Sequence, residues 1–204
     1  MPNQLHDMQP SSYAASQADG LPGVPATLTV PPGTWIVDPT RSVVEFIARH
    51  FVVAKVRGRF SDVTGTLVVT EGAVGSTIVA RADVRSVNTG DRARDDHLRS
   101  SDFFDAEHWP DLTLEGRVVS LTSWGLHLLG DLTIRGTTRA VTFDVVVRNL
   151  RTGPAAAELT ATAHASVNRK DFGLCWNATI ETGGVVVADQ VEVAIEVVAR
   201  RAET

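Results

Sequence analysis

The chain has 204 residues, 19 Lys and Arg against 24 Asp and Glu for a formal charge of −5, and one cysteine. That length allows one domain with a tail, and a single cysteine excludes an intrachain disulfide or a multi-thiolate metal site. Mild acidity without a basic stripe argues against nucleic acid as a partner, and no apolar run approaches the ~20 residues that span a bilayer.

Residues 1–32 are rich in Ser, Gln, Ala and Pro, with Pro22, Pro25, Pro31 and Pro32 closing the segment. The expectation is a flexible tail, because the segment offers no periodic apolar face. Its first 20 residues hold neither Lys nor Arg and no apolar stretch, unlike a secretory signal, so a cytoplasmic location is expected.

The text changes at Gly33. Val44, Phe46, Ala48 and His50 alternate with Glu45 and Arg49, and period two returns around Leu67, Ile78–Val84, Leu112, Leu132, Val141–Val147, Leu159–Val167 and Val191–Val197. These eight runs, in a chain with 29 Val and 21 Thr, predict antiparallel strands with one buried face. The pattern stops between Asn88 and Arg117, where no Val occurs. Asp91–Arg99 there predicts a short helix, opened by an Asn88 or Thr89 cap and docked through Leu98, Phe103 and Phe104.

Eight strands suit a sandwich or a closed barrel. Inward positions are often small: Ala80, Ala82, Gly116, Ala161, Ala163 and Ala165. A solid core wants bulk there, so these residues predict a barrel around a space, wide enough for one small ligand.

Four segments carry a resemblance: HFVVAKVRGRF (His50–Phe60), VNTGDRARDDHLRSSDFFD (Val87–Asp105), GDLTIRGTTRAVTFD (Gly130–Asp144) and RKDFG (Arg169–Gly173). In this order and spacing the chain resembles the YceI family of bacterial polyisoprenoid-binding proteins. The resemblance spans Gly33 to about Arg200, leaving a tail over 1–32 and an end over 201–204. It implies an all-β, extended eight-stranded antiparallel lipocalin-like barrel with a short helical insertion. It further implies an apolar tunnel that holds a long isoprenoid, isoprenoid quinone or similar amphiphile for sequestration, storage or transport. No catalytic residues and no cofactor come with it. The wall residues expected are Phe46, Phe60, Leu67, Ile78, Leu112, Leu114, Leu132, Phe143, Phe172 and Trp176, with His50 at a barrel mouth facing a headgroup oxygen.

Each has a plainer alternative, an ordinary core side chain for the wall and a structural histidine for His50. Asp95, Asp96, His97 and Arg99 fit capping and ion pairs, although Arg94 or Arg99 could meet an anionic head. Arg135 and Arg169, near turns, read as solvated charges with the same alternative. An enzyme acting on a lipid through His50 or Asp96/His97 is the second function class, and a stress-related interaction module with lipid as filler is the third. No HExxH, GxSxG or GxGxxG occurs, so no metal ligand set or nucleophile elbow is expected. Cys175 reads as a small hydrophobe or an incidental thiol. Val43, Ile47 and Val146, facing outward, hint at a homodimer patch.

Overall fold

Alternating β-branched residues favour extended backbone, and the runs pair into ladders that are antiparallel throughout. The computed structural model describes residues 29–50, 54–153, 157–177 and 187–203, so most of the expected tail lies outside the described residues. In chain order the strands are β1 (Gly33–Val37), β2 (Val43–His50), β3 (Ala54–Phe60), β4 (Val63–Val69) and β5 (Thr77–Asp83). They continue as β6 (Asp111–Leu121), β7 (Leu126–Ile134), β8 (Thr137–Arg151), β9 (Glu158–Asn168) and β10 (Val187–Arg201). A 3₁₀ turn (Val84–Ser86) and the helix α1 (Arg92–Arg99) separate β5 from β6, and a second 3₁₀ turn (Arg169–Phe172) follows β9.

Eight strands close on themselves in the order β1-β4-β5-β6-β7-β8-β9-β10, with Trp35 opposite Arg201 and Val37 opposite Ala199 completing the circle. The expected all-β barrel is therefore present, with one change of membership. The five-residue β1, which the alternation missed, supplies the closure, while β2 pairs with β3 as a hairpin against β10. Length explains this. The 15 residues of β10 outreach β1, so its earlier part, from Val187 opposite His50 to Glu196 opposite Val43, takes β2 instead. The strand β3 was hidden because its inward positions are Val56, Gly58 and Phe60, and Gly58 breaks the apolar alternation. A Cβ at Gly58 would collide with the Phe46 ring, so glycine there makes room for Phe46. β10 also runs one residue past the expected boundary at Arg200.

The wall beyond β3 is completed by the insertion. Arg59 and Asn88 exchange backbone hydrogen bonds, N to O, at 3.0 and 2.9 Å. The α1 cap is Asp91, whose carboxylate accepts the Arg94 N–H at 3.2 Å, rather than Asn88 or Thr89. Those two are engaged elsewhere: Asn88 Oδ1 accepts from Gly90 N, and the Thr89 hydroxyl donates to buried Asp95 at 2.6 Å. Arg99 fastens the helix, donating to the carbonyls of Arg85 and Val87 at 3.0 and 2.6 Å.

Arg135 and Gly136, with φ of +49° and +69°, form the two-residue hairpin turn between β7 and β8. Arg135 is no idle surface charge: it donates to Ser101 O at 2.8 Å and Gly173 O at 3.4 Å, drawing both connecting segments onto the barrel end. That end holds the larger core cluster, around Phe60, Val84, Val87, Phe104 and Phe172. At the other end Trp35, fully buried, packs with Leu159 and Ala199.

The expected dimer patch is not continuous. Val146 and Val43 share one outward row, but Thr162 and Glu196 stand between them, and Val43, Ile47 and Val146 are all half-buried. The more exposed strand aliphatics, Ile36, Val68, Val79, Val119, Leu121 and Leu129, lie on other strands.

Candidate functional site

Three cavities follow one another inside the barrel. The largest, about 470 Å³, lies at the α1 end between β2, β3, β10, α1 and the turn after β9. A narrow one of about 80 Å³ comes next and shares Val44, Leu112, Leu132 and Val193 with it. The third, about 120 Å³, shares Ile78, Leu114, Phe143, Ile195 and Val197 with the second and reaches Leu159 beside Trp35. Shared walls make these successive widenings of one apolar interior along the barrel axis.

Phe46, Phe60, Leu112, Leu132, Phe172 and Trp176 line the first cavity, Leu112, Leu132, Leu114, Ile78 and Phe143 the second, and Leu67, Ile78, Leu114 and Phe143 the third. The backbone of His50 ends β2 opposite Ala54 and Val187, and its side chain lies outside the described parts. Sequence reasoning missed Phe103, Phe104 and Leu98 as walls, reading them only as docking residues. It also missed Leu174 and Val187, which flank the turn after β9. The first three carried a signal, being the bulkiest apolar residues of a segment otherwise charged.

The small inward residues divide by role. Ala161 and Ala163 face the third cavity and Ala80 and Ala82 the second, leaving space as expected. Gly116 and Gly130, cross-strand partners, do the opposite: a Cβ at Gly116 would stand 2.6 Å from Leu128 Cδ2, and one at Gly130 2.5 Å from Leu114 Cδ1. Leucines fill that room.

At the α1 end the polar lining consists of Arg49, Arg94, His97 and Arg169; Arg81 and Thr113 border the second cavity and Ser76, Thr77 and Thr162 the third. His97 Nε2 stands 3.2 Å from Asp102 Oδ2, and its ring meets Phe103 and Trp176 edge-on at 5.1 and 4.6 Å. Asp96 turns away toward Arg99 and Arg92, at 3.0 and 4.0 Å. The sequence pair Asp96/His97 is thus split, since neighbours on a helix point about 100° apart, and Asp102 is the carboxylate beside His97. Arg94 donates to Thr89 Oγ1 at 2.8 Å and Thr89 O at 3.3 Å. Arg99 is spent on backbone carbonyls and Asp96 and does not line the cavity, so of the four arginines weighed for an anionic head Arg94 and Arg169 line it, and Arg99 and Arg135 do not.

Arg169 is the clearest correction. It is 4% exposed, not solvated, and its guanidinium donates to the carbonyls of Leu174, Trp176, Val187 and Ala188 while Asp189 stands at 3.5 Å. One planar fork with five donors can satisfy that many carbonyls, which Lys cannot. It holds Leu174 and Trp176 against the start of β10 and so shapes the cavity wall. Cys175, between them, is exposed and does not pack as a small hydrophobe. Among the described residues no cluster of three or more His, Cys, Asp or Glu is placed to hold a metal ion.

A model of the YceI-like domain matches residues 35–199. A UPF0312 protein of Staphylococcus aureus is 34% identical over 161 residues, covering 76% of this chain and 90% of that one. Among solved structures, Burkholderia cenocepacia BcnA superposes with a TM-score of 0.68 at 23% identity, over 79% of this chain and 98% of that one. A polyisoprenoid binding domain from Saccharophagus degradans, implicated in plant cell wall breakdown, superposes with a TM-score of 0.63 at 17% identity, over 82% and 98%. At such identities the structural likeness speaks for the fold.

Proposed function

The chain belongs to the YceI-like family, and on that premise we propose that it binds a long-chain polyisoprenoid, isoprenoid quinone or similar amphiphile inside the barrel. The observation that carries this reading is the run of three cavities with mainly apolar walls, with Arg49, Arg94, His97 and Arg169 lining the wide one at the α1 end. A chain threaded along that run has its head at the α1 end, near Arg94 and His97, and its tail toward Trp35. Burial contributes about 0.8 kcal/mol per CH₂-sized group, so ten or more carbons offset the cost of association without a hydrogen bond. The polyisoprenoid-binding description of the S. degradans neighbour supports the same ligand class.

The reading is one of carriage or storage rather than chemistry. His97 is braced by Asp102 and two aromatic rings, and among the described residues no hydroxyl or thiol side chain lines the large cavity with it. Organic extraction of the purified protein followed by mass spectrometry tests the proposal. The expected result is a prenyl compound in near-stoichiometric amount. A barrel that carries none, and takes up none from detergent micelles, overturns it.

A further inference from the structure

The β2–β3 hairpin gathers positive charge on its outward face. Arg49, Lys55, Arg57 and Arg59 are all exposed, and Glu45 is the one carboxylate on the two strands. The register places Arg49 opposite Lys55, with Arg57 the next outward residue along β3 and Arg59 opposite Glu45. Like charges directly opposite on one face repel and destabilise the pair. None of these four cations has an ion-pair partner among the described residues. Several other cations are paired with carboxylates, Arg41 with Glu158, Arg81 with Asp111, Lys170 with Asp189 and Arg200 with Asp38, and those without such a pair among the described residues, such as Arg117, Arg139 and Arg148, are not gathered on one hairpin. A chain of net charge −5 thus leaves a patch of four cations and one carboxylate on a single hairpin.

Protection of a free edge explains part of this, since β3 pairs only with β2 apart from the bridge at Arg59 and charged residues deter edge-to-edge association. It does not explain Arg49, which stands on the inner strand of the hairpin, nor the excess of positive charge. Position supplies the missing reason. Arg49 is both exposed and part of the large cavity's lining, so the basic face adjoins the rim of the ligand site.

We propose that this hairpin docks the barrel on an anionic lipid bilayer, with the large cavity at the membrane surface. The inference rests on the lipid-binding reading, because a long apolar chain is scarce in water and is exchanged where it is dissolved, in a membrane. The overall acidity does not prevent docking. Fields are screened beyond about 10 Å at 0.1 M salt, so the bilayer responds to the face that touches it.

The test is co-sedimentation of the full chain with vesicles of phosphatidylcholine, alone or mixed with phosphatidylglycerol. Binding is expected to the mixed vesicles and to weaken with salt. Each basic residue removed costs about fivefold, so the triple variant Lys55→Gln/Arg57→Gln/Arg59→Gln binds about a hundredfold more weakly. These three side chains do not line the cavities, and uptake of a prenyl compound from detergent micelles is expected to be unchanged in the variant. Equal binding of wild type and variant overturns the proposal, as does equal binding to neutral vesicles. So does preference for an oligonucleotide with no vesicle binding. Micelle uptake without vesicle binding removes the docking surface and leaves the ligand reading standing; vesicle binding without uptake does the reverse.

Discussion

Arg169 shows how one side chain of the cavity lining determines local structure. Its guanidinium collects four backbone carbonyls from two segments and is almost wholly buried, so its loss leaves the buried Leu174 carbonyl and the part-buried carbonyls of Trp176 and Ala188 short of a donor, while Val187 keeps Asn177. Each buried acceptor left unpaired costs ~1–3 kcal/mol, and partial relaxation brings the expected loss for Arg169→Met to about 3 kcal/mol. Urea denaturation of the variant measures it. Arg169→Lys is expected to recover only a small part, because an ammonium cannot span four carbonyls in one plane. The RKDFG motif was legible in the sequence; the role of its first residue was not. Nearness to a turn signals surface charge, and only the fold reveals which carbonyls converge. His97 is similar, since its neighbour Asp96 is adjacent in sequence while the carboxylate at its ring comes from Asp102, five residues on.

Among the strands, β9 best illustrates the division of labour between wall and space. Its inward Ala161 and Ala163 stand opposite Val147 and Val145 of β8, and both border the cavity of about 120 Å³. Enlarging one of them fills the deep end without disturbing the α1 end. Ala163→Leu is expected to shorten the longest prenyl chain retained while leaving the affinity for short chains unchanged, at a stability cost of ~1–3 kcal/mol from overpacking. A series of prenyl alcohols of increasing length, bound to wild type and variant, checks this. Period-two alternation made most strands readable because one face of each is apolar. It failed for β1, which is too short to repeat, and for β3, where Gly58 yields its space to Phe46. Both failures arise where a neighbouring strand determines the residue.

For the barrel as a whole, closure depends on joining the two ends of the chain. β1 and β10 meet over three rungs, and a charge cluster braces the seam: Arg41 lies 2.7 Å from Glu158 Oε2, and Arg200 lies 3.4 Å from both Glu158 and Asp38. The Arg41 hydrogen bond holds the Glu158 carboxyl below its ordinary range, and the Thr40 hydroxyl does the same for Asp38. Folded pKa values below the unfolded ones mean that this contribution is complete above the ordinary carboxylate range and is lost as pH falls through the lowered values. The melting temperature of Glu158→Gln should therefore trail wild type at neutral pH and converge with it in acid; a gap that persists undiminished would show that the charge is not its source. Composition and periodicity alone established an all-β chain with inward small residues, a helical interruption and the family motifs, because strand pattern and turn chemistry are local properties. Tertiary structure decided which eight strands close, where the space widens and which arginines are buried. It also gathered, on a hairpin face that reaches the cavity rim at Arg49, four cations without an ion-pair partner among the described residues, a charge asymmetry that composition averages away because residues on both strands of a hairpin become neighbours only when it folds.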